Sequence, residues 1–346
     1  MVKDAKRIGI IGHFGGPTPP VDGQTVKTRT LYNELVKAGV PTPYLVDTWY
    51  NGEDRRRLIR DTLGCLRDCD RVILLVSSNG LKLYLPFLAL AHRVLGTKLY
   101  FDAIGENVKD LLVSHPSWAR MLNCFEYVWV ETEECARVVR GHLCTKVEVI
   151  PNFKSLENVS APQGGGPVSR FCTFSRVMPE KGVTEAVRAV AAARELYPSA
   201  DLTLNIWGPV EPSYSLEFEN LVRSNEGFVS YCGTVPPGES VGVLAGQDVL
   251  LFPTRWASEG FPGTVVDAFS AGLPVVATDW NSNSEVVEHL ETGLVYPAPG
   301  IPSLVDAVRW CVENPGDVRR MALNCVAKAH DYAPGPWIAK IVEELG

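Results

Sequence analysis

The chain has 346 residues, which is long for a single hydrophobic core and predicts two domains. Hydrophobic residues make up 46% and charged residues 21%, as in an ordinary globular protein, and since no run of 18 or more apolar residues occurs, no membrane-spanning helix is predicted. The net charge of −7 is uneven, because residues 1–152 carry 20 Lys and Arg against 17 Asp and Glu, and the remainder carries 13 against 23. No nucleic-acid partner is predicted.

The nine cysteines are scattered along the chain without a Cys-x-x-Cys pair. No signal-peptide pattern precedes the first strand-like segment. We therefore expect a reduced, cytoplasmic protein without a zinc site.

The first half of the chain alternates strand and helix patterns. Its predicted strands are Ile8–Ile11, Pro43–Asp47, Val72–Val76, Lys98–Ala103, Tyr127–Glu131 and Val147–Ile150. Its predicted helices are Leu58–Leu66, Leu83–Leu95 and Gly23–Lys37, the last with Val26, Leu31, Leu35 and Val36 as apolar positions. Apolar strands separated by helices favour a parallel sheet that is covered on both faces.

A Gly- and Pro-rich segment at residues 162–167 interrupts this alternation. The strands predicted after it are Arg170–Ser175, Leu202–Trp207, Val229–Tyr231, Val249–Phe252 and Pro274–Ala277. The helices predicted after it are Val183–Tyr197, Thr264–Ala271, Ser303–Cys311 and Pro336–Leu345. The predicted fold is α/β, with two Rossmann-like doubly wound domains facing a central cleft, because such sheets bind ligands outside the carboxyl ends of their strands.

Two carboxylates eight positions apart mark a loop late in the chain. Glu259 lies in a loop rich in Gly and Pro, and Asp267 lies in the first turn of the helix predicted to follow it. A loop that opens a helix presents free backbone N–H groups to an anion, and carboxylates beside it can hold sugar hydroxyls. The structural alternative is a capping box formed by Thr264 and Asp267.

A second loop, residues 175–182, follows the first strand of the second half and precedes a helix. Arg176 and Lys181 stand near its two ends, and their positive charges suit a diphosphate. The alternative is a pair of ordinary surface cations. If both are exposed loop residues, replacing either should barely change the thermal midpoint.

A third loop, residues 12–16, follows the first strand. Its glycines would let the backbone approach a phosphate closely, and a simple turn is the alternative. The Gly-x-Gly-x-x-Gly pattern of dinucleotide sites does not occur here. His13 is predicted either to contact a bound substrate or to be a structural loop residue.

These motifs resemble one known family. Residues 259–267 resemble the Glu-x7-Glu motif of retaining glycosyltransferases of family 4 (glycosyltransferase group 1), which have the GT-B fold, with Asp in place of the second Glu. Residues 175–182 resemble the donor-diphosphate loop of the same family. Segments 11–16, 22–29, 78–82, 149–153 and 337–341 resemble bacterial capsular and exopolysaccharide biosynthesis glycosyltransferases.

The resemblance implies roles for individual residues. The residues implied to be catalytic are Arg176, Lys181 and Glu259, with the two cations stabilising the departing diphosphate and Glu259 orienting the donor sugar. The donor-binding residues implied are Gly15, Gly16, Val235, Gly260, Phe261, Pro262, Gly263, Thr264 and Asp267. Among these, Asp267 would hold the ribose and Val235 the base, and His13 would stand on the acceptor side. Pro262 departs from the family's frequent glycine and has no N–H to donate.

The resemblance also implies a reaction. The chain would be a retaining, metal-independent hexosyltransferase that uses a nucleotide-diphosphate sugar, with UDP the commoner nucleotide, in polysaccharide or glycolipid assembly. No cofactor and no metal are implied, and the acceptor would be a saccharide or a lipid-linked saccharide. An acceptor-binding domain would span residues 1–155, a linker 156–167 and a donor-binding domain 168–335, with helix 336–346 packing back on the first domain.

The first half also carries a basic helix and an apolar segment. The basic helix contains Arg55, Arg56, Arg57, Arg60 and Arg67. A solvated helix face explains it, and contact with anionic lipid or a phosphate-bearing acceptor is the alternative. Residues 81–88 likewise fit a buried helix or a membrane contact. The expected location is cytoplasmic, with a peripheral contact at the inner face of the membrane.

Two other functions fit the same architecture. A nucleotide-sugar epimerase would interconvert sugars with no acceptor present, so product analysis separates it from a transferase. A nucleotide-sugar sensor or non-catalytic subunit would bind donor and transfer nothing. A phosphorylase-like enzyme needs a pyridoxal-binding lysine, for which the sequence has no signature.

Overall fold

The computed structural model describes residues 7–17, 22–155, 166–236, 238–297 and 301–346, without the side chains of residues 78, 301 and 302. Contacts divide the chain into two compact units, one formed by Met1–Lys154 with Pro334–Gly346 and the other by Ser155–Ala333. The predicted linker at 156–167 lies almost wholly outside the described residues.

The first unit is built on a parallel sheet of six strands. These are β1 (Ile8–Gly12), β2 (Tyr44–Asp47), β3 (Arg71–Leu75), β4 (Lys98–Asp102), β5 (Tyr127–Val130) and β6 (Lys146–Val149). They lie in the order β2-β1-β3-β4-β5-β6. Ile10 pairs with Leu45 on one side and with Ile73 on the other. The direction of winding therefore reverses between β1 and β3.

In the part of this unit that the structure describes, seven α-helices connect the strands. They are α1 (Gly23–Lys37), α2 (Tyr50–Glu53), α3 (Arg55–Asp68), α4 (Ser78–Leu95), α5 (Asn107–Ser114), α6 (Ser117–Leu122) and α7 (Glu133–Arg140). Side-chain caps set several starts: Asp22 accepts the Thr25 N–H before α1, and Thr132 accepts the Cys135 N–H before α7. Gly96, in the left-handed region, ends α4. The helices from α3 to α7 pack on one face of the sheet.

The second unit repeats the pattern with a different strand order. Its strands are β7 (Arg170–Phe174), β8 (Thr203–Trp207), β9 (Val229–Tyr231), β10 (Val249–Phe252), β11 (Val275–Asp279) and β12 (Gly293–Pro297). All are parallel, in the order β12-β11-β10-β7-β8-β9, so the winding reverses between β7 and β10. In doubly wound sheets ligands bind at the carboxyl edge at this reversal. The loops after β7 and β10 are therefore the place to look for a site.

The helices of the second unit cover both faces of its sheet. They are α8 (Val183–Leu196), α9 (Ser215–Ser224), α10 (Ser240–Leu244), α11 (Gly263–Ser270), α12 (Asn283–Val286), α13 (Ile301–Glu313) and α14 (Pro315–Ala329). One apolar cluster contains Val187 and Val190 of α8, and another contains Val265 and Phe269 of α11. Each face of the sheet thus has its own core.

The last helix, α15 (Pro334–Leu345), belongs to the first unit. Ile338, Ile341 and Leu345 pack with Leu31 and Leu35 of α1 on the sheet face opposite α3 to α7. The predicted α/β class with two doubly wound units is confirmed.

Some predicted details were wrong. Val36 was predicted as an apolar position of α1, but it is 39% exposed because it lies on the solvent side of the helix. Thr25 and Thr28 are among the residues that α1 buries instead. The strand β12 was not predicted, since it begins with glycine and ends with proline. The short helices α5, α6 and α7 were also missed. Cys65 and Cys69 are buried packing residues, and all nine cysteines are free thiols.

Candidate functional site

An ion pair joins the two loops at the winding reversal of the second sheet. Lys181 ends a short 3-10 turn after β7, and its ammonium donates to the carboxylate of Glu259, in the loop between β10 and α11. The two side chains are only 14% and 11% exposed. The structure thus brings together two of the three residues predicted to be catalytic, although 78 positions separate them.

Glu259 is held from several sides by residues that the sequence did not indicate. The hydroxyl of Thr254, which is fully buried, donates to the Glu259 carboxylate at 2.6 Å. Thr278 donates to the Thr254 carbonyl at 2.7 Å, and the Asn281 side chain donates to the Glu259 carbonyl at 2.9 Å. In the sequence, Thr254 is marked only by its place two residues after the buried strand β10. The carboxylate orientation is therefore set by three neighbouring segments.

The same two loops also touch through their backbones. Gly182 has φ +73°, and a Cβ there would clash with the Pro253 carbonyl oxygen. The Arg255 N–H donates to the Glu180 carbonyl at 2.7 Å, and the Arg255 guanidinium pairs with Glu185 on α8. Glycine at 182 is thus needed for the approach that brings Lys181 to Glu259.

Arg176 differs from Lys181. It is exposed in the loop after β7, and no hydrogen bond or ion pair of its guanidinium occurs within the described parts of the chain. The condition that the cation is an exposed loop residue holds for Arg176 but not for Lys181, because Lys181 turns inward to Glu259. One cation is thus fixed and the other is available.

The helix α11 begins beside this pair. Its first residue is Gly263 and its N-cap is Pro262, which has no side-chain hydrogen bond to the helix. The capping-box interpretation is wrong, because Thr264 lies inside the helix and cannot cap it. Asp267 lies in the second turn rather than the first and is 8% exposed. The amides of the first turn have no partner four residues earlier within the helix, as is general for helix starts.

The donor-binding residues predicted in the second unit also include Gly260, Phe261 and Val235. Gly260 is half-buried, and the buried Phe261 ring packs edge-on against Tyr332 with centroids 5.1 Å apart. Val235 follows β9 and packs on the apolar cluster that contains Trp207. The loop of Val235 is fixed to its neighbour, because the Gly208 N–H donates to the Gly233 carbonyl at 2.9 Å. All of them lie at the carboxyl edge of one sheet.

In the first unit, the predicted glycine loop is organised around a carboxylate. The N–H groups of Phe14 and Gly16 donate to the Asp47 carboxylate at 2.9 and 2.8 Å. Gly16 has φ +62°, and a Cβ there would lie 2.6 Å from the Trp49 ring. The Gly16 amide therefore binds Asp47 in this structure and does not face outward for a phosphate. Gly15 also has a positive φ, of +86°. The sequence did not point to Asp47.

His13 has a defined hydrogen-bond partner. The Thr25 hydroxyl donates to Asp22 at 2.9 Å, so its oxygen is left to accept from His13 Nδ1, 2.8 Å away. This arrangement makes Nδ1 the protonated nitrogen and leaves Nε2 as the acceptor when the ring is neutral.

A cavity of about 330 Å³, lined mostly by residues with polar side chains, lies where β3 and β4 lead into α4 and α5. Its lining includes Asn79, Lys82, Asn107, Asp110 and His115. It lies at the carboxyl edge of the first sheet, where ligands of doubly wound folds bind. Asn79 and Lys82 belong to segment 78–82, one of the segments for which the sequence analysis describes a resemblance.

A buried charged triad lies at the same edge of the first sheet. Lys27 of α1 contacts Asp102 at 2.6 Å and Glu131 at 2.9 Å, and it donates to the Ala103 carbonyl at 3.0 Å. Burial by itself would lower the pKa of Lys27, but the two carboxylates more than offset it and raise that pKa. Burial raises the pKa of Asp102, and Lys27 opposes this. The triad ties α1 to the loops after β4 and β5.

Neither a metal centre nor a membrane span is found in the described residues. No group of three or more His, Cys, Asp and Glu side chains there is arranged to hold a metal ion. Over the same residues, no helix combines the length and the apolar character needed to cross a bilayer.

Matches to a family model and to known sequences each cover about half of this chain or less. Residues 169–314 match the model of the family described as glycosyl transferases group 1. Alpha-D-kanosaminyltransferase of Streptomyces kanamyceticus is 27% identical over 183 residues, which are 49% of this chain and 44% of that protein. The lipopolysaccharide core biosynthesis mannosyltransferase LpsB of Rhizobium meliloti is 44% identical over 189 residues, 51% of each chain. The chain thus spans about half the length of the curated relatives it matches.

Solved structures resemble the whole chain. Anabaena Alr3699/HepE in complex with UDP and glucose has a TM-score of 0.73 at 16% identity, over 98% of this chain and 99% of that chain. Sucrose-phosphate synthase from Thermosynechococcus elongatus has a TM-score of 0.74 at 15% identity, over 98% of both chains. At such low identity the likeness shows the fold alone, and it confirms the GT-B fold.

Proposed function

We propose that the protein is a glycosyltransferase that moves a hexose from a nucleotide-diphosphate sugar to an acceptor hydroxyl, because residues 169–314 match the model of the glycosyl transferases group 1 family. The Lys181–Glu259 pair at the winding reversal of the second sheet carries this proposal. It places a cation suited to a diphosphate against a carboxylate suited to sugar hydroxyls, at the edge where doubly wound sheets bind nucleotides.

The chemistry follows from the charges. An ammonium has three hydrogens, so Lys181 can keep its bond to Glu259 and still donate to a phosphate oxygen. Arg176 adds a second, uncommitted positive charge from the same loop. Charge grows on the diphosphate as the bond between sugar and oxygen breaks, and cations held in place stabilise that state more than the bound substrate.

Other predicted residues of the second unit complete the donor site in this proposal. Asp267 accepts hydrogen bonds from the ribose, the amides at the start of α11 face the donor, and Val235 contacts the base. Glu259, held by Thr254, orients the sugar. The pair of cations takes the charge role that a metal ion fills elsewhere, so we propose that transfer needs no metal.

The finer assignments come from the relatives and from the motif. The resemblance of residues 259–267 to the retaining Glu-x7-Glu motif supports retention of configuration. A solved neighbour in complex with UDP supports a UDP-sugar as donor, and the name of LpsB supports a role in polysaccharide or glycolipid assembly. The cavity with Asn79, Lys82 and His115 is the proposed site for a saccharide acceptor. Free thiols support a cytoplasmic location.

The first experiment is thermal stabilisation by free UDP, GDP, ADP and dTDP. A nucleotide at about 100 times its Kd adds about 2.7 kcal/mol of stability, which shifts the midpoint visibly. We expect a selective shift with one nucleotide, lost in Lys181→Ala and kept in Arg188→Ala, an exposed position on α8. The corresponding nucleotide sugars are then incubated with saccharide acceptors, with and without EDTA.

Each outcome has a defined meaning. Acceptor-dependent release of nucleotide, unchanged by EDTA, with an α-linked product from an α-linked donor, supports the full proposal. Sugar interconversion without acceptor would identify an epimerase. Nucleotide binding with no turnover on any sugar or acceptor would identify a binding protein, and no binding at all would contradict the donor site.

A further inference from the structure

The helix α4 is apolar on its outer side as well as its inner side. Its inner positions, such as Leu85 and Leu88, are fully buried in the first core. Its outer positions form an apolar stripe made of Leu83, Phe87, Leu90 and Val94, which are 58%, 38%, 60% and 72% exposed. Their spacing of four, three and four places them in one line along the whole helix. Such a stripe is uncommon on a surface that faces only water.

The neighbouring helix α3, on the same side of the sheet, is strongly basic. Its outward positions are Arg56, Arg60 and Arg67, with Ile59 and Leu63 between them at 60% and 52% exposure. These five side chains line a cavity of about 750 Å³. The outer side of α3 thus alternates cations with large aliphatic side chains.

The charge of these two helices opposes that of the whole chain. The helix α3 contains five arginines against Asp61 and Asp68, and α4 contains Lys82 and Arg93 with no acidic residue. The two helices together carry a net charge of +5 in a chain whose net charge is −7.

Part of this charge is neutralised locally. Arg60 lies 3.1 Å from Asp61, and Arg67 lies 2.7 Å from Asp68. Within the described residues, Arg56, Lys82 and Arg93 form no ion pair. These three cations are exposed and available to an external anion.

We propose that the outer face of α3 and α4 docks on an anionic lipid bilayer, with the apolar stripe of α4 inserted at the level of the headgroups and the cations beside it contacting them. Basic side chains flanking an exposed apolar helix face are the pattern of surface-bound helices. A second copy of this face would bring positive charge against positive charge, which argues for the bilayer instead.

The proposal also concerns the acceptor. Lys82 flanks the apolar stripe and lines the cavity of about 330 Å³ at the start of α4. A docked α4 would place that cavity next to the bilayer, where a lipid-linked acceptor is held. In this respect the inference adds to the proposed transferase function, but the docking itself is measured without donor or acceptor.

The experiment is flotation of the purified full chain with vesicles of phosphatidylcholine, with and without one-third phosphatidylglycerol. We expect at least about tenfold stronger partitioning to the anionic vesicles, weakened by added salt. The pair Leu90→Glu with Val94→Glu should lower it about tenfold or more. The pair Arg56→Glu with Arg60→Glu tests the cations separately and should lower it similarly.

The control is Leu216→Glu with Leu323→Glu, which changes two leucines of the second unit that are 72% and 63% exposed. It should float like the native chain. All four replaced apolar side chains are largely exposed, so the thermal midpoints of both pairs should match the native value. Absence of flotation by the native chain, or equal flotation by every variant, would overturn the proposal. A dimer in light scattering that Leu90→Glu with Val94→Glu disperses would also overturn it, in favour of a second copy.

The two proposals can fail separately. Flotation without transfer activity would support the docking face and contradict the transferase function. Transfer to a soluble acceptor without flotation would support the transferase function and contradict the docking face.

Discussion

Lys181 and Arg176 leave the same loop but have different surroundings. The Lys181 ammonium lies against Glu259 and is 14% exposed, while the Arg176 guanidinium is exposed to solvent. Removing a partly buried charge leaves its partner unsatisfied, whereas removing a solvated one costs little. We therefore expect replacement of either cation to lower turnover, but only replacement of Lys181 to lower stability appreciably.

We predict that Lys181→Ala and Arg176→Ala both lower turnover by about 10²–10³-fold, the usual effect of losing one donor to transition-state charge. Lys181→Ala should also lower the free energy of unfolding by about 1–3 kcal/mol, because the Glu259 carboxylate loses its counter-charge. Arg176→Ala should change it by less than about 0.5 kcal/mol. Steady-state kinetics and urea unfolding measure the two effects. Equal stability of the two variants would contradict the buried ion pair.

Gly182 makes a second prediction at the scale of one residue. An alanine Cβ there meets the Pro253 carbonyl, and φ is +73°. We expect Gly182→Ala to cost about 1–3 kcal/mol in unfolding free energy and to lower turnover, because the loops after β7 and β10 move apart. The control is Gly242→Ala in α10, where the space is open and alanine is the better helix former. A neutral Gly182→Ala would show that the two loops do not need this close approach.

At the scale of elements, α1 is attached to its sheet through the buried triad. Lys27, Asp102 and Glu131 are 6%, 1% and 5% exposed, and they join the helix to the loops after β4 and β5. These loops stand at the edge where the proposed acceptor cavity opens. The triad therefore connects the packing of α1 on its sheet to the positions of the loops at that edge.

We predict that Lys27→Met lowers the free energy of unfolding by about 3–5 kcal/mol at neutral pH, because it leaves two buried carboxylates without a cation. Burial already raises the pKa of Asp102, and loss of Lys27 removes the attraction that opposes this. A group whose pKa is higher in the folded state contributes its stability at low pH and loses it as the pH rises. The loss of unfolding free energy in Lys27→Met should therefore become smaller as the pH falls from about 8 to about 5.

Urea unfolding across this pH range measures the effect. The control is Lys37→Met on the same helix, where the Lys37 side chain pairs with Glu34 but is itself 58% exposed. Its cost should stay below about 1 kcal/mol at every pH. If the stability loss of Lys27→Met became larger as the pH falls, the predicted direction of its pH dependence would be contradicted.

At the scale of the whole molecule, the first unit is completed by residues from the far end of the chain. Ile338 and Ile341 of α15 fill the core beneath α1, and the buried Arg71 donates to the Gly346 carbonyl at 2.7 Å. Lys340 pairs with Glu148 at 2.9 Å. The chain therefore passes through the second unit before the first core is closed.

We predict that Ile341→Ala, at a fully buried position, costs about 2–5 kcal/mol and that the loss appears in the first unit. Hydrogen exchange should become faster in β1 and α1 and stay unchanged in β7 and β10. The control is Val342→Ala, one position later and 36% exposed, with an expected cost below about 0.5 kcal/mol. Faster exchange only in the second unit would contradict the placement of α15.

Most strands could be predicted from the sequence, because a buried parallel strand is a short apolar run and needs no partner to be recognised. Ile8–Gly12 and Val249–Phe252 are examples. The strand Gly293–Pro297 was not predicted, because the glycine and the proline at its ends are typical of turns. The start of α11 was placed one residue late, which made Thr264 look like a cap.

The sequence by itself determined the α/β class, the repeat of two doubly wound units and the loops that carry Arg176, Lys181 and Glu259, since these follow from patterns between near neighbours. Only the tertiary structure decided that Lys181 meets Glu259 with Thr254 behind it, and that Gly16 binds Asp47. These contacts depend on the order of strands in each sheet, β7 beside β10 and β1 beside β2. Strand order brings distant loops to one edge, and no local periodicity of the chain encodes which loops will meet there.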